Sequence, residues 1–380
     1  MEALANARVL LDDGFVAGRV VLVDGARIAG VVAEDDPRCA KATFRDLKGA
    51  LLLPGFVDTQ VNGGGGVLFN DDPSVETIRA IGRAHRRFGT TSFLPTLISD
   101  DLHVLANAID AVRAAIEARV PGVVGVHLEG PYLSEERKGA HDPAKFRDLD
   151  PGDVALLASL KAGRTLVTLA PEMTTPATIA MLAKAGVVVS AGHTNATFEE
   201  INAALGSGLT GFTHLFNAMS PLTHREPGTV GAALHDAASW CGIIVDARHV
   251  DPAVLRIALR CKPLDRFMLV TDAMPNVGAE RDWFMLQGRK VTVRDGICVD
   301  DNGTLSGSAL DMASAVRNTV DLLGVGLAEA VRMASTYPAE FLGLGGEIGK
   351  IRAGYRANLV LADARLNIFE TWIDGRASRE

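Results

Sequence analysis

Cysteine is scarce in this 380-residue chain, and what there is does not cluster. Cys39, Cys241, Cys261 and Cys298 contain no CxxC pair, so neither a disulfide frame nor a thiolate zinc site can be read from them. They are expected to be reduced thiols in a cytoplasmic protein. Positive charge is also short: 38 Lys and Arg stand against 46 Asp and Glu, a net charge of −8. That balance argues against a general binder of nucleic acid or anionic membrane, while leaving room for a small anion held by a few local cations. No apolar run approaches the ~18 residues of a membrane span. The N-terminal stretch lacks a basic start and breaks its apolar run at Asp12 and Asp13, so no signal peptide is expected. There is no GxGxxG turn after the first strand and no repeat of solenoid length.

What is present is the balance of a folded globular protein, 48% hydrophobic and 22% charged. The segments RVLLDD, FVAGRVVLVDG and ARIAGVV near the start are β-branched and split by Asp-Gly pairs at 13–14 and 24–25, a hairpin signal. The C-terminal GEIGKI, RANLVLAD and NIFETWIDG read alike. The two ends are expected to pair into one small β-sandwich domain, residues 1–50 plus 346–380. Residues 51–345 alternate instead. Strands are expected over 51–62, 90–99, 123–130, 165–173, 186–194, 208–219, 240–249 and 266–275. Between them lie helical stripes such as Val75, Ile78 and Ile81, or Leu105, Ala108, Ile109 and Val112. Helix starts are marked at Asp150-Pro151 (running to Gly163), Thr175-Pro176, Asp251-Pro252 and the Thr197/Glu200 capping box, and a short helix is expected near 231–238. Residues 283–303 read as an inserted hairpin and 308–324 as a closing helix. Eight apolar strands alternating with helices predict an α/β fold, a (β/α)8 TIM-type barrel; a doubly wound open sheet is the rival.

In such a barrel the chemistry sits at the C-terminal strand ends. Those ends carry Gln60 and Asn62, Glu129, Glu172, His193, His214, His249 and Asp272. Glu129, His193 and His214 would supply one carboxylate and two imidazoles, the open tetrahedral set of a catalytic zinc, which ferrous iron or cobalt would also accept. A lone strand-end histidine is more often a hydrogen-bonded structural residue; the joint pattern is what favours a metal. His127 shares a strand face with Glu129 one step deeper, so support of the ligands is expected rather than ligation. His85, His103 and His235 fall in helices and read as surface or packing residues. Asp272 has the place of a general base for an activated water, or else caps a turn or joins the metal.

The segments 54–71, 127–141, 169–172, 190–196, 213–228, 271–275 and 349–363 carry a recognisable pattern. They include HLEGPYLSEERKGAH, SAGHTNA, THLFNAMSPLTHREPG and TDAMP, in order along nearly the whole chain. The chain resembles the amidohydrolase superfamily and, within it, the N-acetylglucosamine-6-phosphate deacetylase family. The resemblance implies one divalent metal, zinc first, on Glu129, His193 and His214, with Asp272 as catalytic acid and base. It implies that His141 stabilises the oxyanion, and that Ala140, His141, Asn217, Ala218, Arg225, His249 and Leu305 contact a small amino-sugar phosphate. It further implies a homodimer in which Arg225 reaches into the neighbouring site.

The chain departs from the pattern in two places. Many amidohydrolases carry HxH after the first strand and hold a second metal. Here Gln60-Val61-Asn62 stands there, and neutral amides are poor transition-metal ligands, so a single tightly bound metal is expected. In Asp246-Ala247-Arg248-His249 the second residue is alanine where the family usually has glycine, and Arg248 either adds a cation near the phosphate or faces solvent. Three other readings stay open: a deacetylase of N-acetylgalactosamine 6-phosphate, a cyclic-amide hydrolase, and a non-catalytic scaffold. The cyclic-amide reading lacks its usual HxH and a lysine at the fourth strand end. The scaffold reading would lead one to expect lost ligands.

Overall fold

The structure, a computed structural model, describes residues 1–378. Its centre is eight parallel strands: β1 (Phe56–Val61), β2 (Thr90–Ile98), β3 (Gly125–Glu129), β4 (Arg164–Leu169), β5 (Val188–Ala191), β6 (Leu209–Phe212), β7 (Trp240–Ile243) and β8 (Phe267–Leu269). Each pairs in parallel with the next. Past its end β8 returns to β1: the Asp272 N–H donates to the Gln60 carbonyl at 3.0 Å, and Ala273 bridges both Val61 and Ser308. The barrel expected from the alternation is therefore present. Its strands are buried along their whole length in β1, β2 and β3, which is why they read as continuous apolar runs.

Local signals set the covering helices. Ser74 caps Val75–Arg86, whose Ile78 and Ile81 are buried. Thr197 and Glu200 close the expected capping box on Phe198–Leu205. Pro176 and Pro252 occupy first turns behind the caps Thr175 and Asp251. The closing helix runs Met312–Leu323 and stops at Gly324, whose φ of 72° suits a residue without Cβ. The short helix expected near 231–238 is Gly228–His235.

Both chain ends join one mostly antiparallel sheet. Its order runs from Arg376–Ala377 through Ile368–Ile373, Leu359–Ala362, Leu51–Pro54, Glu2–Leu11 and Gly14–Asp24 to Arg27–Ala33, with Thr43–Asp46 beside Glu2–Leu11. Residues 354–357 link its far edges, since the Ile28 N–H donates to the Tyr355 carbonyl and the Gly354 N–H to the Ile28 carbonyl. The folded-over sheet encloses Leu4, Val21, Ile28, Leu52 and Trp372. The last two residues of the expected 346–380 segment lie outside the described residues.

Several elements differ from expectation. GEIGKI, expected to be a strand, folds as turns and bends over residues 346–351, and the strands expected over 208–219, 240–249 and 266–275 end at Phe212, Ile243 and Leu269, where the chain turns away into the loops of the cavity. The strand expected over 51–62 is two strands, split at Pro54-Gly55; the first half belongs to the terminal sheet. The helix expected from Asp150 to Gly163 shrinks to the turn Pro151–Asp153 and Val154–Leu157, because the Ser159 N–H closes back on Leu156 and turns Leu160 into the core. The inserted hairpin is a four-stranded sheet, Trp283–Leu286, Arg289–Arg294, Ile297–Asp300 and Leu305–Ser308. Its last strand forms because the end of β8 offers it an edge: the Met274 N–H donates to Ser308, and the Ser308 N–H to Asp272.

Candidate metal centre and active-site cavity

Glu129 is the last residue of β3. His193 and His214 lie two residues beyond β5 and β6, and Asp272 lies three beyond β8. His193, His214 and Asp272 all take left-handed backbone conformations, with φ of 49°, 34° and 51°. For a residue with a Cβ that costs roughly 1–2 kcal/mol each. Three such residues in one cavity are the strain expected where side chains must leave the strand direction and turn toward a common point.

The ligand atoms of Glu129, His193 and His214 all lie within 4.8 Å of one another, and all three residues are buried. Glu129 Oε1 is 2.9 Å from His214 Nε2 and 3.2 Å from His193 Nε2, and the two imidazole nitrogens are 3.1 Å apart. His193 Nδ1–H donates to the Arg137 carbonyl at 2.9 Å, which fixes the tautomer and leaves the Nε2 lone pair facing Glu129 and His214. Two converging imidazole nitrogens beside a carboxylate are a donor set that fits a divalent cation. Burial by itself would raise the Glu129 carboxyl, but the imidazoles bonded to it outweigh that and hold it well below the ordinary range. Burial would lower the His214 imidazole, and its bond to Glu129 raises it instead.

Asp272 faces this cluster. Burial, reinforced by the Glu129 charge, pushes its carboxyl up to about 6. Gln60 Nε2 donates to Asp272 Oδ1 at 3.1 Å and Asn62 Nδ2 to the same oxygen at 2.7 Å. His141 lies across the cavity, its ring centroid 4.4 Å from that of His193. The Ser99 N–H donates to His141 Nδ1 at 3.3 Å, so the ring proton sits on Nε2. Burial, followed by the neighbouring His193, holds that imidazole well below its usual range, and it is neutral. The result is an uncharged N–H donor beside the metal-binding cluster.

The cavity above these groups measures about 210 Å³. Asn62, Glu129, Ala140, His141, His193, His214, Asn217, Ala218, His249, Asp272 and Leu305, all expected from the sequence, line it. His249 is held by Asp246, whose Oδ2 accepts its Nδ1–H at 2.6 Å. Arg225 does not line the cavity of its own chain; it is exposed on the 221–227 loop. Arg248 also faces solvent. His127 is buried with both ring nitrogens occupied, Nδ1 by Thr96 and Nε2 by Thr168, and burial takes it down to about 4. Of the helical histidines, His103 and His235 are exposed, whereas His85 is fully buried with Nε2 2.9 Å from the Gly63 carbonyl.

Some contributors carried weak or no sequence signals. Ile98, Gly139, Met274, Leu286 and Gly307 complete the lining, the last two from the inserted sheet. That sheet is tied to the cavity rim by Gln287 Nε2 on the Ser99 carbonyl, 2.9 Å, and by Arg289 on the Ala140 carbonyl. Glu172 accepts from Thr194 Oγ1 and the Asn195 N–H, at 2.5 and 2.6 Å, and so braces the loop that carries His193. Its place after β4 marked it as polar, but not as a brace.

The Amidohydrolase family model matches residues 51–377. The chain belongs to the amidohydrolase family. It is 46% identical over 330 residues to the N-acetylgalactosamine-6-phosphate deacetylase of Shewanella sp. (strain ANA-3), covering 87% of this chain and 83% of that protein. It is 36% identical over 377 residues to the N-acetylglucosamine-6-phosphate deacetylase of Haemophilus influenzae, covering 98% of each. The crystal structure of N-acetylglucosamine-6-phosphate deacetylase from Pasteurella multocida matches with a TM-score of 0.95 at 37% identity, over 99% of both chains. The family resemblance drawn from the sequence motifs is borne out. This amidohydrolase has no helix, among the described residues, that is long and apolar enough to cross a membrane.

Proposed function

We propose that this amidohydrolase removes the N-acetyl group of N-acetylglucosamine 6-phosphate, giving acetate and glucosamine 6-phosphate. The observation that carries the reading is the convergence of Glu129, His193 and His214 beside the Asp272 carboxylate and the His141 N–H. A divalent cation held by the first three residues, zinc in our reading with ferrous iron or cobalt as substitutes, supplies Lewis acidity and makes a bound water more acidic.

The chain's own residues do the rest. Asp272 takes one proton from the attacking water as the water oxygen bonds to the acetyl carbon. It returns that proton to the sugar nitrogen as the C–N bond breaks. A carboxyl raised to about 6 suits both halves of this exchange near neutral pH. The His141 Nε2–H donates to the carbonyl oxygen as it gains charge, and being neutral and fixed by Ser99 it needs no reorganisation. Asn217, Ala218 and His249 hold the sugar phosphate. Arg225 completes the phosphate site of a second copy of the chain, which makes the working unit a homodimer; a guanidinium fork suits phosphate oxygens. The four cysteines are free, in keeping with a cytoplasmic setting.

A second reading, the galacto epimer as substrate, is favoured by the 46% identity to the Shewanella protein of that name. Acetate release from both 6-phosphates and from their dephosphorylated forms, measured side by side on the metal-replete protein, tests the two. Preference for the gluco epimer with loss of rate on dephosphorylation supports the first; preference for the galacto epimer supports the second. No acetate from either phosphate sinks both.

A further inference from the structure

The chemistry above uses Asp272 but gives no task to the two amides beside it. Gln60 and Asn62 stand where many amidohydrolases have metal-binding histidines, and both are 2% exposed. Barrel closure fixes their place. The Asp272 N–H donates to the Gln60 carbonyl and the Asn62 N–H to the Ala273 carbonyl, each at 3.0 Å, so the two segments run bonded side by side. Both side-chain amides then donate to the same atom, Asp272 Oδ1. Gln60 Nε2 also lies 3.3 and 3.2 Å from the two Glu129 oxygens, within donor distance of a metal-binding carboxylate as well.

The orientation of these amides is dictated by charge. Turned the other way, Asn62 would set its own oxygen against the Asp272 carboxylate, and Gln60 would set its oxygen against two carboxylates. The orientation leaves a mark: Asn62 Oδ1 is buried and has no donor, a state that ordinarily costs free energy. The donor contacts to Asp272 must therefore outweigh that loss.

We propose that Gln60 and Asn62 are positioning residues that occupy Asp272 Oδ1 and so reserve Oδ2 as the oxygen that carries the proton. The inference rests on the reading of Asp272 as proton carrier. In the first half of the reaction a water O–H bond breaks and an Oδ2–H bond forms. In the second half the Oδ2–H bond breaks and the proton passes to the leaving nitrogen. Oδ1 accepts from the same two amides throughout, so neither has to reorient between the halves.

Asn62→Leu removes the stronger donor at similar volume, and Asn62→Ser keeps a short donor. In a crystal structure of Asn62→Leu the Asp272 carboxylate is expected to rotate away from its present orientation. In kinetics kcat should fall about 10–100-fold, the loss of one hydrogen bond to a charged group, with KM nearly unchanged. The solvent deuterium isotope effect on kcat should rise as proton transfer becomes slower. Metal content by elemental analysis should stay at the wild-type level, and Asn62→Ser should recover part of kcat. An unmoved carboxylate with kcat within about threefold of wild type overturns the proposal. So does loss of the metal in Asn62→Leu, which would make Asn62 a support for the ligands instead. Should the wild type release no acetate from either sugar phosphate, the substrate reading falls, while the Asp272 orientation in Asn62→Leu crystals still decides the positioning claim. Should Asn62→Leu not fold, Asn62→Ala removes the donor without adding volume or charge and is read by the same measurements.

Discussion

The two sides of the cavity are built in different ways. The hydrolytic side is carried by barrel strand ends: Glu129, His193, His214 and Asp272 are buried or nearly so, the first three in mutual contact and Asp272 held by Gln60 and Asn62, and set by backbone that is strained at three of the four. The side proposed for the phosphate is open: Arg225, its proposed cation, sits on an exposed loop, and Leu305 is 37% exposed on the inserted sheet. Bond-making geometry fails over fractions of an ångström, so it is built on rigid elements of one chain. Attraction for a phosphate acts over a longer range and tolerates a loop or a second copy.

The sharpest way to break this comparison is at Asp272. Asp272→Asn keeps an acceptor at Oδ1 for Gln60 and Asn62, so fold and metal content should survive. It removes the proton carrier, and kcat should fall about 10³-fold. Near-normal turnover with intact metal content would reject the role of Asp272.

Arg225 probes the other side. Arg225→Ala should raise KM about 10–100-fold with a smaller change in kcat, as loss of a charge-assisted phosphate contact would. Mixing Arg225→Ala with Asp272→Asn subunits should bring back sites with the wild-type KM, because one site of the mixed dimer then has its own Asp272 and its neighbour's Arg225. If Arg225 served only its own chain, the mixture would show only the raised KM of Arg225→Ala. That result would remove the homodimer from the account of the site.

The pH profile is the next smaller effect. Asp272 must be ionised to accept a proton, so activity should rise with pH through its titration and fall about tenfold per unit below it. Burial and the Glu129 charge bring its carboxyl to about 6. A cation on the cluster favours the ionised form, so the acid limb should lie at or below about 6. A limb well above that value would mean that another group controls the reaction.

The difference between the two sides also explains what the sequence made legible. Glu129, His193 and His214 stood out because a strand end announces itself by a polar residue after an apolar run, and three such ends share a rim. The Thr197/Glu200 cap was legible for a related reason, since both partners lie within one turn. Contacts made only by barrel closure were not legible. Asn62 and Asp272 are 210 residues apart, and nothing local says that their side chains meet. The bracing role of Glu172 had no local signal either, because the turn Pro171–Met173 swings it onto the loop of His193. The split of 51–62 did have a signal, Pro54-Gly55, which ordinarily ends a strand. Leu305–Ser308 had none, because Gly-Thr-Leu-Ser-Gly-Ser lacks strand alternation and borrows its edge from the end of β8.

The smallest expected effect lies where the two sides meet, at the turn that presents His249. Asp246 Oδ1 accepts the N–H groups of Arg248 and His249 at 2.8 and 2.9 Å, and this turn forces Ala247 to a φ of 58°. Ala247 is exposed, so its methyl group gains little from packing and only strains the backbone. Glycine would release roughly 1–2 kcal/mol of that strain. The freer unfolded chain would take back about half of it. Ala247→Gly should therefore stabilise the fold by about 0.5–1 kcal/mol, a rise of about 1 °C in the thermal midpoint for a chain of this size. Arg248→Ala, one residue on and also exposed, should move the midpoint by less. A lower midpoint for Ala247→Gly would mean that the turn carries no strain at this position.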